Sequence, residues 1–200
     1  MMKVSTIFQA LMLTVAFVGM SFTVANVETY RVDTAQSQLT WKAYKVTGEH
    51  EGTINLKSGN LQFQDGKLTG GSFIIDMTSI NNTDMEGKMK AKLEGHLKSA
   101  DFFDVENHPT ASFVITKAIS RGTPGDYKIV GNLTIKNHTK EIKFLAKVNE
   151  EGGKLVAEAD ITVDRADFDV RYGSGSFFDD LGDRTIYDEF DVHVKLVATK

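Results

Sequence analysis

Two hundred residues with 17 Gly, 2 Pro and no Cys fit one domain and a short appendage. The formal charge of −4, with no basic block, excludes an electrostatic nucleic-acid binder and a polybasic membrane patch. Without Cys there can be no disulfide, no thiolate metal site and no lipid anchor on an N-terminal Cys.

The first 25 residues read as the appendage. Lys3 gives a positive start, residues 7–20 are mostly apolar, and Thr23-Val24-Ala25 places small residues at the minus-three and minus-one positions of a cleavage site. This is the pattern of a secretory signal peptide over residues 1–25, which directs the chain to the periplasm or outside the cell. A transmembrane anchor is the competing reading, but a full span needs about 20 apolar residues. No stable membrane insertion is expected once this segment is removed. Its loss takes away Lys3 alone among charged residues, leaving 22 basic against 27 acidic, or −5.

The rest of the chain alternates. Residues 30–33 open the domain as a first strand or its lead-in. Leu39, Trp41 and Ala43 then alternate with Gln38, Thr40 and Lys42. Ile54 and Leu56 follow between glycines, and Asp65-Gly66 marks a hairpin turn. Phe73, Ile75 and Met77 continue the apolar set. The period then changes, because Met85, Met89, Leu93 and Leu97 recur every four residues. That spacing predicts one short helix around residues 84–98, with Thr83 and Glu86 as a capping box.

Strands resume at Ala111, Phe113 and Ile115, then at Tyr127, Ile129, Leu133 and Ile135, with Gly131 as a bend or bulge. Asn137-His138 reads as a turn into Ile142, Phe144, Ala146 and Val148. Leu155, Ala157, Ala159, Ile161 and Val163 form the next dry face. A long loop, 165–185, precedes the last strand, where Ile186, Phe190, Val192, Val194, Leu196 and Ala198 are apolar and Asp188 is the one polar intruder. A period of two means one dry and one wet face per strand. About eight such strands joined by short turns predict an all-β fold, an eight-stranded antiparallel up-and-down barrel. A two-sheet sandwich would use the same alternation.

Several stretches resemble the YceI-like family of polyisoprenoid-binding proteins. The longest is 93–113, Leu-Glu-Gly-His-Leu-Lys-Ser-Ala-Asp-Phe-Phe-Asp-Val-Glu-Asn-His-Pro-Thr-Ala-Ser-Phe. Ser79-Ile80-Asn81, Gly131-Asn132-Leu133-Thr134-Ile135 and Asp164-Arg165-Ala166-Asp167-Phe168 fall in the family's order, although Asp169 stands where Gly is usual. The resemblance covers residues 28–198. It implies a lipocalin-like barrel with a helix between the third and fourth strands, a periplasmic location, and binding of a long isoprenoid such as a polyprenyl phosphate or quinone.

For the lining of such a barrel the candidates are Trp41, Phe73, Ile75, Phe113, Ile115, Leu133, Phe144, Ala146 and Phe190, which could equally fill a solid core. Gly131, Ala146, Ala157 and Ala159 are the small residues that favour leftover space. Met85, Met89 and Leu93 are candidates for a portal, or for a helix that plugs one end. Arg165, Arg171 and Tyr172 could supply donors to a head group, or Arg165 could clamp to Asp164, Asp167 or Asp169. The five histidines are scattered, and no metal or cofactor is expected. The expected partner is an isoprenoid lipid, and a second copy of the chain is a further candidate. The rivals to a lipid carrier are a metal-assisted hydrolase using the acidic 164–189 region and a ligand-free structural or stress-response protein.

Overall fold

A computed structural model describes residues 26–200. The signal peptide expected over residues 1–25 lies outside the described residues. Nine strands follow in order, β1 (Val27–Val32), β2 (Gln38–Lys45), β3 (Gly48–Gln64), β4 (Lys67–Asn82), β5 (Thr110–Ser120), β6 (Asp126–Ile135), β7 (His138–Glu151), β8 (Lys154–Asp164) and β9 (Ile186–Thr199). One helix, α1 (Gly87–Lys98), separates β4 from β5.

The nine strands make eight staves. β1 pairs with the far half of β3, with Val27 opposite Gln64, and β2 with the near half, with Leu39 opposite Ile54. β9 borders both in the same way. β1 and β2 therefore occupy one position, interrupted by a turn at which the Asp33 carbonyl accepts from Ser37. Each later strand pairs antiparallel with the next, and β9 returns to β2, which closes the barrel. Closure leaves no free sheet edge. Counted by staves, α1 lies between the third and fourth.

The turns follow from residue chemistry. Asp65-Gly66, Lys136-Asn137 and Gly152-Gly153 each place two successive residues at positive φ. That geometry matches the right-handed twist of two adjoining strands. The turn before β7 is thus Lys136-Asn137, one residue earlier than Asn137-His138. The bulge expected at Gly131 sits on its partner, between Ile115 and Lys117 of β5.

The two ends of the barrel differ. One carries the 65–66, 121–125 and 152–153 turns, the start of β1 and the end of β9. The other carries α1 with segment 99–109, the 46–47 and 136–137 turns and the 165–185 loop. The helix starts at Gly87, later than expected, and Glu86 at its N-cap makes no side-chain capping bond. The expected capping box is therefore absent. The Thr83 hydroxyl donates to the Glu51 carbonyl, and Asn82 takes over the anchoring. Asn82 is fully buried, its Nδ2 donates to Glu51 O at 2.9 Å and to Asp84, and its Oδ1 accepts from the Met85 amide at 3.0 Å. Its own amide donates to Glu94 on α1 at 2.8 Å. The Asn82 backbone amide thus ties α1 to the end of β4, while its side chain, which offers both donors and acceptors, fixes the segment leading into the helix.

Candidate functional site: the barrel lumen

The inward faces of all eight staves enclose a cavity of about 230 Å³. It reaches from Leu61 and Leu68, beside the 65–66 turn, to Leu97, Phe102, Phe103 and Ile186 at the loop end. All nine side chains singled out from alternation, Trp41, Phe73, Ile75, Phe113, Ile115, Leu133, Phe144, Ala146 and Phe190, lie on its wall. Eight strands give an interior that bulky side chains can fill. Here part of it stays unfilled because one arc of the wall is small. Ala146 of β7 faces Ala159 of β8, and Ala157 faces Val148 and Leu196 on either side.

Gly131 does not contribute to that space. A Cβ there would lie 2.3 Å from Cζ of Phe113, so the ring already occupies the position. Trp41 uses Gly52 in the same way and donates its indole N–H to the Thr53 carbonyl at 3.2 Å. Phe73 leans over Gly59. Three aromatic wall residues are thus seated on glycines of neighbouring strands, which fixes where the rings lie and restores packing that the glycines forgo. Phe113 stacks between Phe73 and Phe144, at ring centroid distances of 6.3 and 5.5 Å.

The residues proposed for a portal fall elsewhere. Met85 and Leu93 are half-buried and Met89 is 60 % exposed, and none of the three is on the cavity wall. No residue of α1 is fully buried. The loop-end cover comes instead from Leu97 and from Phe102 and Phe103 just beyond the helix. The adjacent aromatic pair was the available signal, but neither helical nor strand periodicity extends to it.

Of Arg165, Arg171 and Tyr172, only Arg165 borders the cavity. Asp164 caps a short 3-10 turn, Arg165–Phe168, by accepting from the Ala166 amide. The Arg165 guanidinium, 2 % exposed, donates to four carbonyls, those of Val170 and Tyr172 at 2.9 Å, Ile186 at 3.0 Å and Tyr187 at 3.2 Å. Its Nη2 also faces Asp188 at 3.1 Å. That oxygen of Asp188 accepts no hydrogen bond, so this contact is an ion pair. Burial pushes the guanidinium below its usual value, and Asp188 and Asp164 pull the other way. Arginine stays charged throughout. Four of the five N–H groups of Arg165 go to carbonyls and the remaining one, on Nη2, lies beside Asp188, so the side chain clamps the two ends of the 165–185 loop together. Its partner is Asp188 rather than Asp164, Asp167 or Asp169.

Arg171 is exposed, bonds Asp169 and lies over the Phe177 ring at 5.0 Å. Tyr172 packs edge-on against His96 at 4.3 Å. Part of the acidic region is committed as well. Asp167 pairs with Lys140, and the free oxygen of Asp188 accepts from Ser176 Oγ at 2.7 Å. Asp169 adopts φ +58°, a left-handed conformation in which Gly is usual and which Asp tolerates better than most side chains. Among the described residues no three acidic or histidine side chains converge as a metal site.

Comparison with known proteins gives one consistent result. The family model described as the YceI-like domain matches residues 30–198. A UPF0312 protein of Pectobacterium atrosepticum is 34 % identical over 106 residues, half of this chain and 54 % of that protein. The chain thus spans about half the length of that curated relative. A UPF0312 protein of Vibrio campbellii is 27 % identical over 78 % of this chain and 85 % of its own length. Among solved structures, BcnA of Burkholderia cenocepacia superposes with a TM-score of 0.69 at 24 % identity, covering 84 % of this chain and 99 % of BcnA. A polyisoprenoid binding domain from Saccharophagus degradans, implicated in plant cell wall breakdown, superposes at 0.62 with 14 % identity over 85 % of this chain and 97 % of its own. These likenesses establish the shared fold.

Proposed function

The chain belongs to the YceI-like domain family, and we propose that it holds the hydrocarbon tail of an isoprenoid lipid inside the barrel. The observation that carries this reading is the cavity, walled almost wholly by apolar side chains and left open by Ala146, Ala157 and Ala159. Burying a CH₂ group contributes about 0.8 kcal/mol. Association costs about 4–15 kcal/mol. A tail of several isoprene units exceeds that cost through buried area alone. The polyisoprenoid-binding neighbour supports the same ligand class.

The tail enters at the loop end, the one end where long segments, 83–109 and 165–185, cover the lumen. The head group, of the polyprenyl phosphate or quinone type, stays at that end, because Arg165 is held by four loop carbonyls and neutralised by Asp188. The protein binds or carries lipid and performs no reaction on it. Secretion to the periplasm, from the pattern in residues 1–25, places it beside membranes that contain such lipids.

The test is solvent extraction of the purified protein followed by mass spectrometry, alongside a native mass spectrum. An isoprenoid that co-purifies at a fixed stoichiometry and dissociates on unfolding is the expected result. Protein that stays at its bare mass after incubation with polyprenol and with a polyprenyl quinone would contradict it.

A further inference from the structure

A lipid held in a closed barrel has to come from a bilayer. The loop end of the barrel carries an exposed apolar rim, of which only Tyr187 also borders the lumen. Among the described residues, six of the ten large apolar side chains that stay exposed, Val46, Met89, Tyr172, Phe177, Phe178 and Tyr187, belong to that end. Chain connectivity puts them there. α1 leaves the end of β4, the 165–185 loop joins β8 to β9, and the 46–47 turn joins β2 to β3. These segments also touch. His96 of α1 packs on Tyr172, and the Val46 amide donates to the Thr185 carbonyl at 3.1 Å. At the opposite end, Val27 and Ile119 are the exposed large apolar residues.

The loop holding the aromatic pair is not loose. Ser174 is fully buried, its carbonyl accepts from the Phe177 and Phe178 amides, and Arg165 clamps the loop base. Phe178 is nonetheless 49 % exposed. A packed loop that presents two phenylalanines outward spends apolar surface on solvent, and clustered exposure of this kind marks an interaction surface. The charge on α1 indicates what it meets. Gly87–Lys98 carries four lysines and one glutamate, and Lys88 and Lys92 are exposed one turn apart beside Met89. Lysines flanking apolar side chains suit the interface of an anionic bilayer, with the apolar groups at the acyl boundary and the ammonium groups at the phosphates.

We infer that the loop end is a docking face for the surface of an anionic phospholipid bilayer, through which the lumen is loaded. This rests on the isoprenoid-binding reading. Asp179, Asp180 and Asp183 follow the phenylalanines and oppose anionic lipid, so the charge contribution is assigned to α1.

Residues 26–200 hold every element of the barrel and omit the apolar run at 7–20, which would itself bind lipid. This chain is floated with vesicles of phosphatidylcholine alone and of phosphatidylcholine with phosphatidylglycerol. The expected result is partition onto the mixed vesicles, lowered about tenfold or more by the double variant Phe177→Ser, Phe178→Ser. Lys88→Glu with Lys92→Glu should lower it on mixed vesicles only. Leu145→Ser, at an exposed site on the barrel wall, should leave it unchanged. Circular dichroism and thermal melting check that each variant is folded. No partition of the unaltered chain, or an equal loss from Leu145→Ser, would overturn the inference. Native mass spectra separate the two claims. Bound isoprenoid without vesicle partition defeats docking alone, whereas partition without lipid uptake defeats the ligand reading.

Discussion

Arg165 and Asp188 form an ion pair at 3.1 Å across the base of a 21-residue excursion, one at the exit of β8 and the other near the start of β9. Asp188 breaks the apolar alternation of β9 because it is the counter-charge to a guanidinium that has to be buried to reach four loop carbonyls. Breaking a buried pair by removing one partner costs about 3–5 kcal/mol. Arg165→Lys keeps the charge but cannot present a planar fork to several acceptors. It is expected to lower unfolding free energy by an amount of that order and to speed amide exchange across 166–187. A variant with unchanged denaturation midpoint that had lost its lipid would instead assign Arg165 to the head group.

The glycines fall into two groups that substitution should separate. At Gly131 a Cβ would also lie 2.6 Å from the Val114 carbonyl, which is backbone and cannot swing away. Gly131→Ala should cost about 1–3 kcal/mol through overpacking. Gly95 lies within α1 with open space around it. Gly95→Ala should stabilise by up to about 1 kcal/mol, the usual helix gain. Urea denaturation of both variants reads the opposite signs directly.

Asp84 links the 48–52 corner to the segment before α1. Burial works to raise its pKa. The hydrogen bond to His50 Nδ1 at 2.9 Å and those from the Glu51 amide and Asn82 outweigh burial, and the net shift is below the usual 3.8. A carboxyl whose folded value lies below its unfolded one stabilises fully above the unfolded value. That contribution fades as pH falls through the folded one. Melting temperature should therefore drop as pH is lowered through 3.8, and Asp84→Asn should melt lower at neutral pH and show a shallower acid slope. Parallel slopes for the two proteins would remove Asp84 from the account.

Much of the barrel is legible in single residues. Phe144 and Ala146 lie on the cavity wall because Lys143 and Lys147 have to face water, and one strand allows only two directions. Distances across loops are a different matter. Periodicity could mark Arg165 and Asp188 as misfits without showing that a loop of some twenty residues folds back to join them. The helix face of Met85, Met89 and Leu93 was visible, but its spacing does not say whether the face meets the lumen or solvent, and the structure leaves Met89 in solvent. The capping box failed because Asn82, one position before the motif, takes the Met85 amide and the Glu51 carbonyl takes that of Thr83. Gly131 looked like empty space because a sequence does not reveal that the ring two residues along the neighbouring strand leans into it.

Ala146 tests whether the open arc is where a guest lies. Its side faces Ala159 across the strand pair, and filling the arc should exclude a hydrocarbon without dismantling the wall. Ala146→Trp is expected to fold, at a cost of about 1–3 kcal/mol, and to purify without lipid. Failure to fold would mean that the lumen is already full.

Trp41 offers the most direct reading of the central claim. It is the single tryptophan in the chain and it lies on the cavity wall, so its emission reports what occupies the lumen. Delipidated protein titrated with a polyprenyl quinone should show saturable quenching of Trp41, reversed by competing polyprenol, which has the tail and no quinone ring. Quenching that rises linearly without saturation, or that excess polyprenol leaves untouched, would contradict a lumen that holds the tail.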